Sequence, residues 1–184
     1  MIVSLDTETT GLDPRHDEVL SLSVCDAEMG TEVWDRLYRP ARTRRWPEAE
    51  AVNGISPAMV RDCPSITDDA GEIRGIIASA DAVVVYNAAF DLPFLDAVGA
   101  LPDRGEMPHV YDPMLDFAVV YDEWSDYFGD YRWQKLVVAA AHVGYDWGEG
   151  KAHASLADCR AAAAVWRWLR DRGDLDVSGG VGLW

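Results

Sequence analysis

Apolar positions alternate with small or polar ones over two early stretches, residues 18–27 and 31–38, and helical spacing appears only later in the chain. Residues 2–6 (IVSLD) read as a short apolar strand and DPRHD (13–17) as a polar turn. Residues 18–27 and 31–38 alternate apolar with small or polar side chains, so they read as two further strands joined near Met29-Gly30. Three strands with short links predict an antiparallel meander. Residues 39–52 are loop or short helix. Ser56 as N-cap and Pro57 at the first helical position predict a helix over SPAMVRD. Residues 67–79 put Ile73, Ile76 and Ile77 on one helical face, and the Val run of DAVVVYN (81–87) predicts a buried strand. A helix over 88–98 follows, then a brief strand at HVYDP (109–113), then helices near 114–123, 133–143 and 155–170. The Gly-rich stretch from Asp174 onward is predicted to be loose.

Strands clustered early, followed by alternating strand and helix, is the order of a mixed α/β sheet flanked by helices. A parallel crossover after the meander satisfies the connection rules. The 184 residues suit one domain, taken as 1–172, with 173–184 as a short C-terminal tail.

Composition narrows the setting. No segment approaches the roughly 18 uninterrupted apolar residues of a membrane span, and the opening MIVSLDTETTG shows no export signal. Cys25, Cys63 and Cys159 are odd in number and widely spaced, which suits reduced thiols in a cytoplasm. The expected location is cytoplasmic. The 32 acidic against 16 basic residues give a formal net charge of −16. A protein gripping long duplex by phosphate neutralisation is usually basic. Divalent cations bound to carboxylates would create a local positive field that net charge does not report. The acidity therefore suggests weak, distributive binding of a strand end, or a partner that supplies the contact; a surface acidic for solubility is the plainer reading.

Four stretches carry candidate chemistry. In DTETTG, Asp6 and Glu8 stand at i and i+2 of a strand and so present two carboxylates to one side. Gly11 then allows a sharp turn and close approach of a ligand's backbone. An isolated D-x-E is more often a plain strand end. In NAAFD, Asn87 serves equally as an N-cap. Asp91 falls in the first turn after a buried strand, where open sheets bind ligands. Ser155-Leu156-Ala157-Asp158 matches a capping pattern, which alone would explain Asp158. His153 lies in a loop with Gly148 and Gly150, and its side chain titrates near neutrality, as a general base should. Alone, it would read as an ordinary exposed histidine.

Taken together, DTETTGLDP (6–14), VNGISPAMVRDCPS (52–65), VVYNAAFDLPFL (84–95) and HASLAD (153–158) resemble the DEDDh-type, DnaQ-like 3′–5′ exonuclease family. The resemblance runs from residue 2 to about 170. It implies a ribonuclease-H-like fold, a mixed five-stranded sheet with antiparallel meander and parallel strands. By resemblance, Asp6, Glu8, Asp91 and Asp158 correspond to the four carboxylates that hold two Mg²⁺ or Mn²⁺ ions, about 3.5–4 Å apart. His153 corresponds to the histidine that deprotonates the attacking water. The implied reaction releases nucleoside 5′-monophosphates from a 3′ end. Thr9 and Leu12 match the segment meeting the terminal nucleotide, Val52 and Asn53 match the wedge that splays the last bases, and Phe90 lies beside the metal-binding aspartate. Many relatives carry histidine where this chain has Asn53, which removes a stacking ring.

Two features stand outside those motifs. Arg36, Arg39, Arg42, Arg44 and Arg45 either track phosphates or form a solvated loop balancing nearby acids. Trp124, Trp133 and Trp147 either stack on bases or pack in the core, as tryptophans beside helices more often do. Arg167, Arg170 and Arg172 suit the last helix's dipole. The reading favoured by the sequence is a free-standing 3′–5′ exonuclease on single-stranded DNA or short oligonucleotides. The alternatives are a proofreading subunit delivered by a polymerase, an exoribonuclease with the same chemistry, and a non-catalytic binding domain.

Overall fold

A computed structural model describes residues 1–148 and 154–176. The first three strands are β1 (Ile2–Thr9), β2 (Val19–Asp26) and β3 (Glu32–Leu37). They form the expected antiparallel meander. Helices α1 (Pro47–Asn53) and α2 (Ile66–Ala78) follow. Then come β4 (Ala82–Val84), α3 (Ala88–Ala97), β5 (His109–Tyr111) and α4 (Pro113–Tyr121). A two-stranded hairpin, β6 (Trp124–Ser125) and β7 (Asp130–Tyr131), precedes α5 (Leu136–His142) and α6 (Ser155–Arg172). The main sheet runs β3-β2-β1-β4-β5, with β4 and β5 parallel to β1. This is the mixed five-stranded sheet the element order predicts.

The two faces of the sheet differ in side-chain size, and that difference positions the site. Val3, Leu5, Leu22 and Val24 join Ile73, Ile77, Leu92 and Leu95 of α2 and α3 in the largest hydrophobic core. The alternate positions on the other face carry Ser4, Ser21, Ser23 and Cys25, all buried. Against them lies α6, whose Cys159, Ala161, Ala162 and Ala163 are buried as well. Small residues on both surfaces let helix and sheet come close. The Ser155 hydroxyl sits 2.7 Å from those of both Ser21 and Ser23, and Ser4 Oγ donates to the Cys159 carbonyl at 2.9 Å. Cys25 and Cys159 are free thiols buried side by side.

Three sequence expectations need correction. The segment Ser56–Asp62 forms turns rather than a helix; Val60 is nevertheless buried with Leu20, Trp46 and Ile55. The helix expected over 133–143 begins only at Leu136; residues 132–135 form an irregular link between β7 and α5. Ser155 does not cap α6: the cap position is Ala154, and the Ser155 side chain turns to the sheet instead. Residues 149–153, with the expected glycine-flanked loop, and residues 177–184, most of the stretch expected to be loose, fall outside the described residues. Among the described residues, no helix is long and apolar enough to cross a membrane.

Candidate active site

Four carboxylates meet at the carboxyl ends of β1 and β4. Asp6 and Glu8 project from β1 toward α6. The close seating of α6 brings Asp158, in its first turn, to the same point. One oxygen from each of Asp6, Glu8 and Asp158 lies within 4.8 Å of the others. Asp91 enters from the opposite side. β1 pairs with β4 only as far as Ser4, so the N–H of Thr7 has no strand partner on that edge. Asp91 Oδ1 takes it at 2.9 Å and also accepts from Thr7 Oγ1 at 2.6 Å. All four carboxylates line one cleft of about 640 Å³, with Thr7, Leu12, Tyr86, Asn87, Phe90, Lys135, Leu136 and Val137.

Burial and neighbouring charge act on Asp6, Glu8 and Asp91 in one direction. Burial is the largest cause raising Asp6 above the usual carboxylate range, followed by the charges of Asp91, Asp158 and Glu8. Glu8 rises from 4.5 to about 7, again through burial first and then Asp158 and Asp91; a hydrogen bond with Asn53 opposes the rise. Burial lifts Asp91 to about 7 against the lowering pull of both Thr7 bonds. An oxygen-only donor set that repels itself in this way fits a hard divalent cation.

The remaining candidates have distinct places. Thr9 is buried; its hydroxyl donates to the Gly11 carbonyl at 2.6 Å and its own carbonyl accepts from Asn53 Nδ2 at 3.3 Å. Leu12 is 83% exposed at the cleft rim. Val52 is exposed on α1 and does not line the cleft, whereas Asn53 reaches it through Glu8. Phe90 lines the cleft and leans on Phe94, ring centroids 5.2 Å apart. Asn87 stands at the N-cap of α3 in a left-handed conformation, but its side chain caps nothing. Asp112 caps instead, accepting from the N–H groups of Asn87 and Ala88 at 2.9 and 2.8 Å while also capping α4 through Met114. His153 lies outside the described residues. At Gly11 the close neighbour is the Asp17 carboxylate, which a Cβ would strike, so the glycine serves the turn rather than a ligand.

Sequence reasoning missed Thr7, Asp112, Tyr86 and Lys135. Thr7 sits between two candidate acids on the opposite strand face, a position that reads as core. Asp112 precedes Pro113, an N-cap signal for α4 that gives no hint of its reach to α3. The arginine loop is largely engaged elsewhere. Arg36 pairs with Asp69 at 2.8 Å, and Arg39 donates to the Arg61 carbonyl at 3.2 Å. Glu18 gathers the N–H groups of Ala41, Arg42 and Thr43. Arg44 and Arg45 are exposed. Of the three tryptophans, Trp124 and Trp133 are on the surface rather than in the core, and Trp147 is half-buried.

This geometry has relatives. The RNase_T family model, described as exonuclease, matches residues 3–166. An uncharacterized exonuclease, CP81, of Escherichia phage 186 is 32% identical over 170 residues, covering 89% of this chain and 84% of its own. A DNA polymerase III subunit epsilon-like protein of Rhodobacter capsulatus is 34% identical over 167 residues; the match covers 88% of this chain but only 22% of that protein. Exonuclease X, solved in complex with 5′ overhanging duplex DNA, has a TM-score of 0.67 at 25% identity, covering 94% of this chain and 93% of that one. Exonuclease I of E. coli, solved with a dA16 oligonucleotide, has a TM-score of 0.74 at 18% identity, covering 93% of this chain and 41% of that one. By the family match over most of its length, the chain belongs to the DnaQ-like, RNase_T family of exonucleases.

Proposed function

We propose that this exonuclease removes nucleotides from the 3′ end of single-stranded DNA, using two Mg²⁺ or Mn²⁺ ions and releasing nucleoside 5′-monophosphates. The observation that carries the proposal is the gathering of Asp6, Glu8 and Asp158 oxygens within 4.8 Å, in one cleft with Asp91. Those four residues would hold the cations, which supply Lewis acidity to the phosphate and to an attacking water. The chain's own residues fix the donors. Thr7 orients the Asp91 carboxylate with two hydrogen bonds, and Asn53 holds Glu8. His153, five residues before Asp158, takes the role of general base. Leu12, exposed at the rim, offers an apolar contact to the terminal base, and Asn87 and Phe90 line the same cleft. Thr9, Val52 and Asn53, outside that lining, are proposed as nucleotide contacts on the family resemblance alone. Residues 1–172, ending with α6, are taken as the catalytic unit.

A second reading, proofreading for a polymerase, draws on the epsilon-like protein among the relatives. Digestion of matched labelled single-stranded DNA, duplex DNA and RNA tests the proposal, with Mg²⁺, Mn²⁺ or chelator and an Asp6→Ala control. Mononucleotide release from the 3′ end by wild type alone is the expected result. Release from the 5′ end, or equal activity in the control or with chelator, rejects it.

A further inference from the structure

The β6–β7 hairpin gives its aromatic side chains to solvent instead of the core. Trp124 and Tyr131 meet edge to face across the strands, centroids 5.3 Å apart. At the tip, Tyr127 and Phe128 are 88% and 74% exposed, and Trp133, just past β7, is 63% exposed. Phe128, Asp130, Tyr131, Arg132 and Trp133 line a groove of about 490 Å³. Aromatic side chains of this size gain from burial, so a cluster left in water marks a surface meant to be covered.

The chain path says what covers it. Two residues beyond Trp133, Lys135 begins the stretch Lys135–Val137 that lines the catalytic cleft. The Tyr86 hydroxyl, from the cleft wall, donates to the Gln134 carbonyl at 2.8 Å and ties this joint in place. Three residues span at most about 10 Å, the rise of roughly three stacked nucleotides. Groove and cleft are therefore linked through one short segment of chain, with Trp133 lining the first and Lys135 the second.

Charge then selects the chemistry. Asp122, Glu123, Asp126 and Asp130 are interleaved with the aromatics along the chain, and Arg132, which lines the groove, sits 3.6 Å from Glu123. A strand cannot be held here chiefly through its phosphates. Bases can be held, because every base has a face that stacks on an aromatic ring without needing a counter-charge. Lys135 is the only basic side chain lining the cleft among the described residues.

We propose that this groove is a base-stacking subsite for the single strand upstream of the nucleotide being removed, with Lys135 meeting a backbone phosphate between groove and cleft. The proposal rests on the exonuclease reading above and extends it.

Phe128→Ala with Trp133→Ala tests it, since both side chains are exposed and their loss leaves the core untouched. Wild type and variant are compared on the p-nitrophenyl ester of thymidine 5′-monophosphate, which fills one nucleotide position, and on dT2, dT4 and dT10. The ratio of kcat/KM on dT10 to that on the ester falls at least ten-fold in the variant, mostly through KM. An unchanged ratio, including an equal loss on both substrates, overturns the subsite. Wild type that hydrolyses no substrate speaks against the catalytic reading instead. Tryptophan fluorescence titration with dT10 in chelator then judges the subsite alone. Phe128→Ala, which keeps every tryptophan, raises the Kd about five-fold or more; undiminished affinity overturns the proposal.

Discussion

Replacing Glu8 by Gln is expected to stabilise the metal-free protein while destroying the proposed site. Glu8 titrates at about 7 in the fold against 4.5 ordinarily, chiefly because burial and the charges of Asp158 and Asp91 oppose its ionised form. The folded state thus holds the proton more tightly than the unfolded chain. Below about pH 4.5 both states are protonated and the residue costs nothing; the penalty grows through the interval and is complete above about pH 7. Its size is about 3 kcal/mol from the pKa change, and about 2 kcal/mol after screening at the open edge of Glu8. Glutamine keeps a hydrogen-bonding group toward Asn53 and carries no charge. For a chain of this length, about 2 kcal/mol corresponds to roughly 4–8 °C in Tm. Melting wild type and Glu8→Gln in chelator from pH 4.5 to 9 measures the effect: the curves converge at the acid end and separate as pH rises. Adding Mn²⁺ raises wild-type Tm at pH 8 and closes the gap. Superimposable curves from pH 5 to 9, or a wild type indifferent to Mn²⁺, would refute the electrostatic account.

Other perturbations probe the supports of the site. Thr7→Val removes the 2.6 Å bond to Asp91, so the Asp91 pKa climbs further and the pH–rate profile at limiting Mg²⁺ moves to the alkaline side; an unmoved profile denies Thr7 its positioning role. Asp112→Ala strips the caps from two helices at once and costs about 2–4 kcal/mol in urea unfolding, where a loss under about 1 kcal/mol would mean the caps are replaced by water. Ser155→Ala loses the hydroxyl bridge to β2, costing about 1 kcal/mol, and lowers kcat more than it raises KM because α6 carries Asp158. Single-strand binding should show a shallow salt dependence, a log–log slope near −1.5 for about two phosphate contacts, and a slope beyond about −4 would point to the arginine loop instead.

The fold was legible where local pattern and tertiary role agree. The apolar positions of β2, the Val run of β4 and Ile73 and Ile77 of α2 coincide with buried positions, while β3 buries only Trp34. The sequence misled where one residue had a more distant partner. Ser155 matches a capping pattern, yet β2 presents two hydroxyls within 2.7 Å and takes it. The β6–β7 hairpin escaped because its two-residue strands carry too few positions for a period to show. Asp6, Glu8, Asp91 and Asp158 could be named from their local strings, but their common focus depends on contacts between elements up to 152 residues apart. Nothing local in Asn53 announces a bond to Glu8, and the aromatic surface at Trp124 and Trp133 looks in sequence like core.

The serine and cysteine floor beneath α6 has an evolutionary consequence. Asp158 rides on a helix that rests on Ser4, Ser21, Ser23 and Cys25, none of which lines the cleft. A methyl group added at any of them would lift the helix and widen the carboxylate spacing, so drift at these positions would surface as altered ion preference long before it surfaced as misfolding. Variants with an altered proposed metal site should therefore be sought in this hidden layer as well as at the acids themselves.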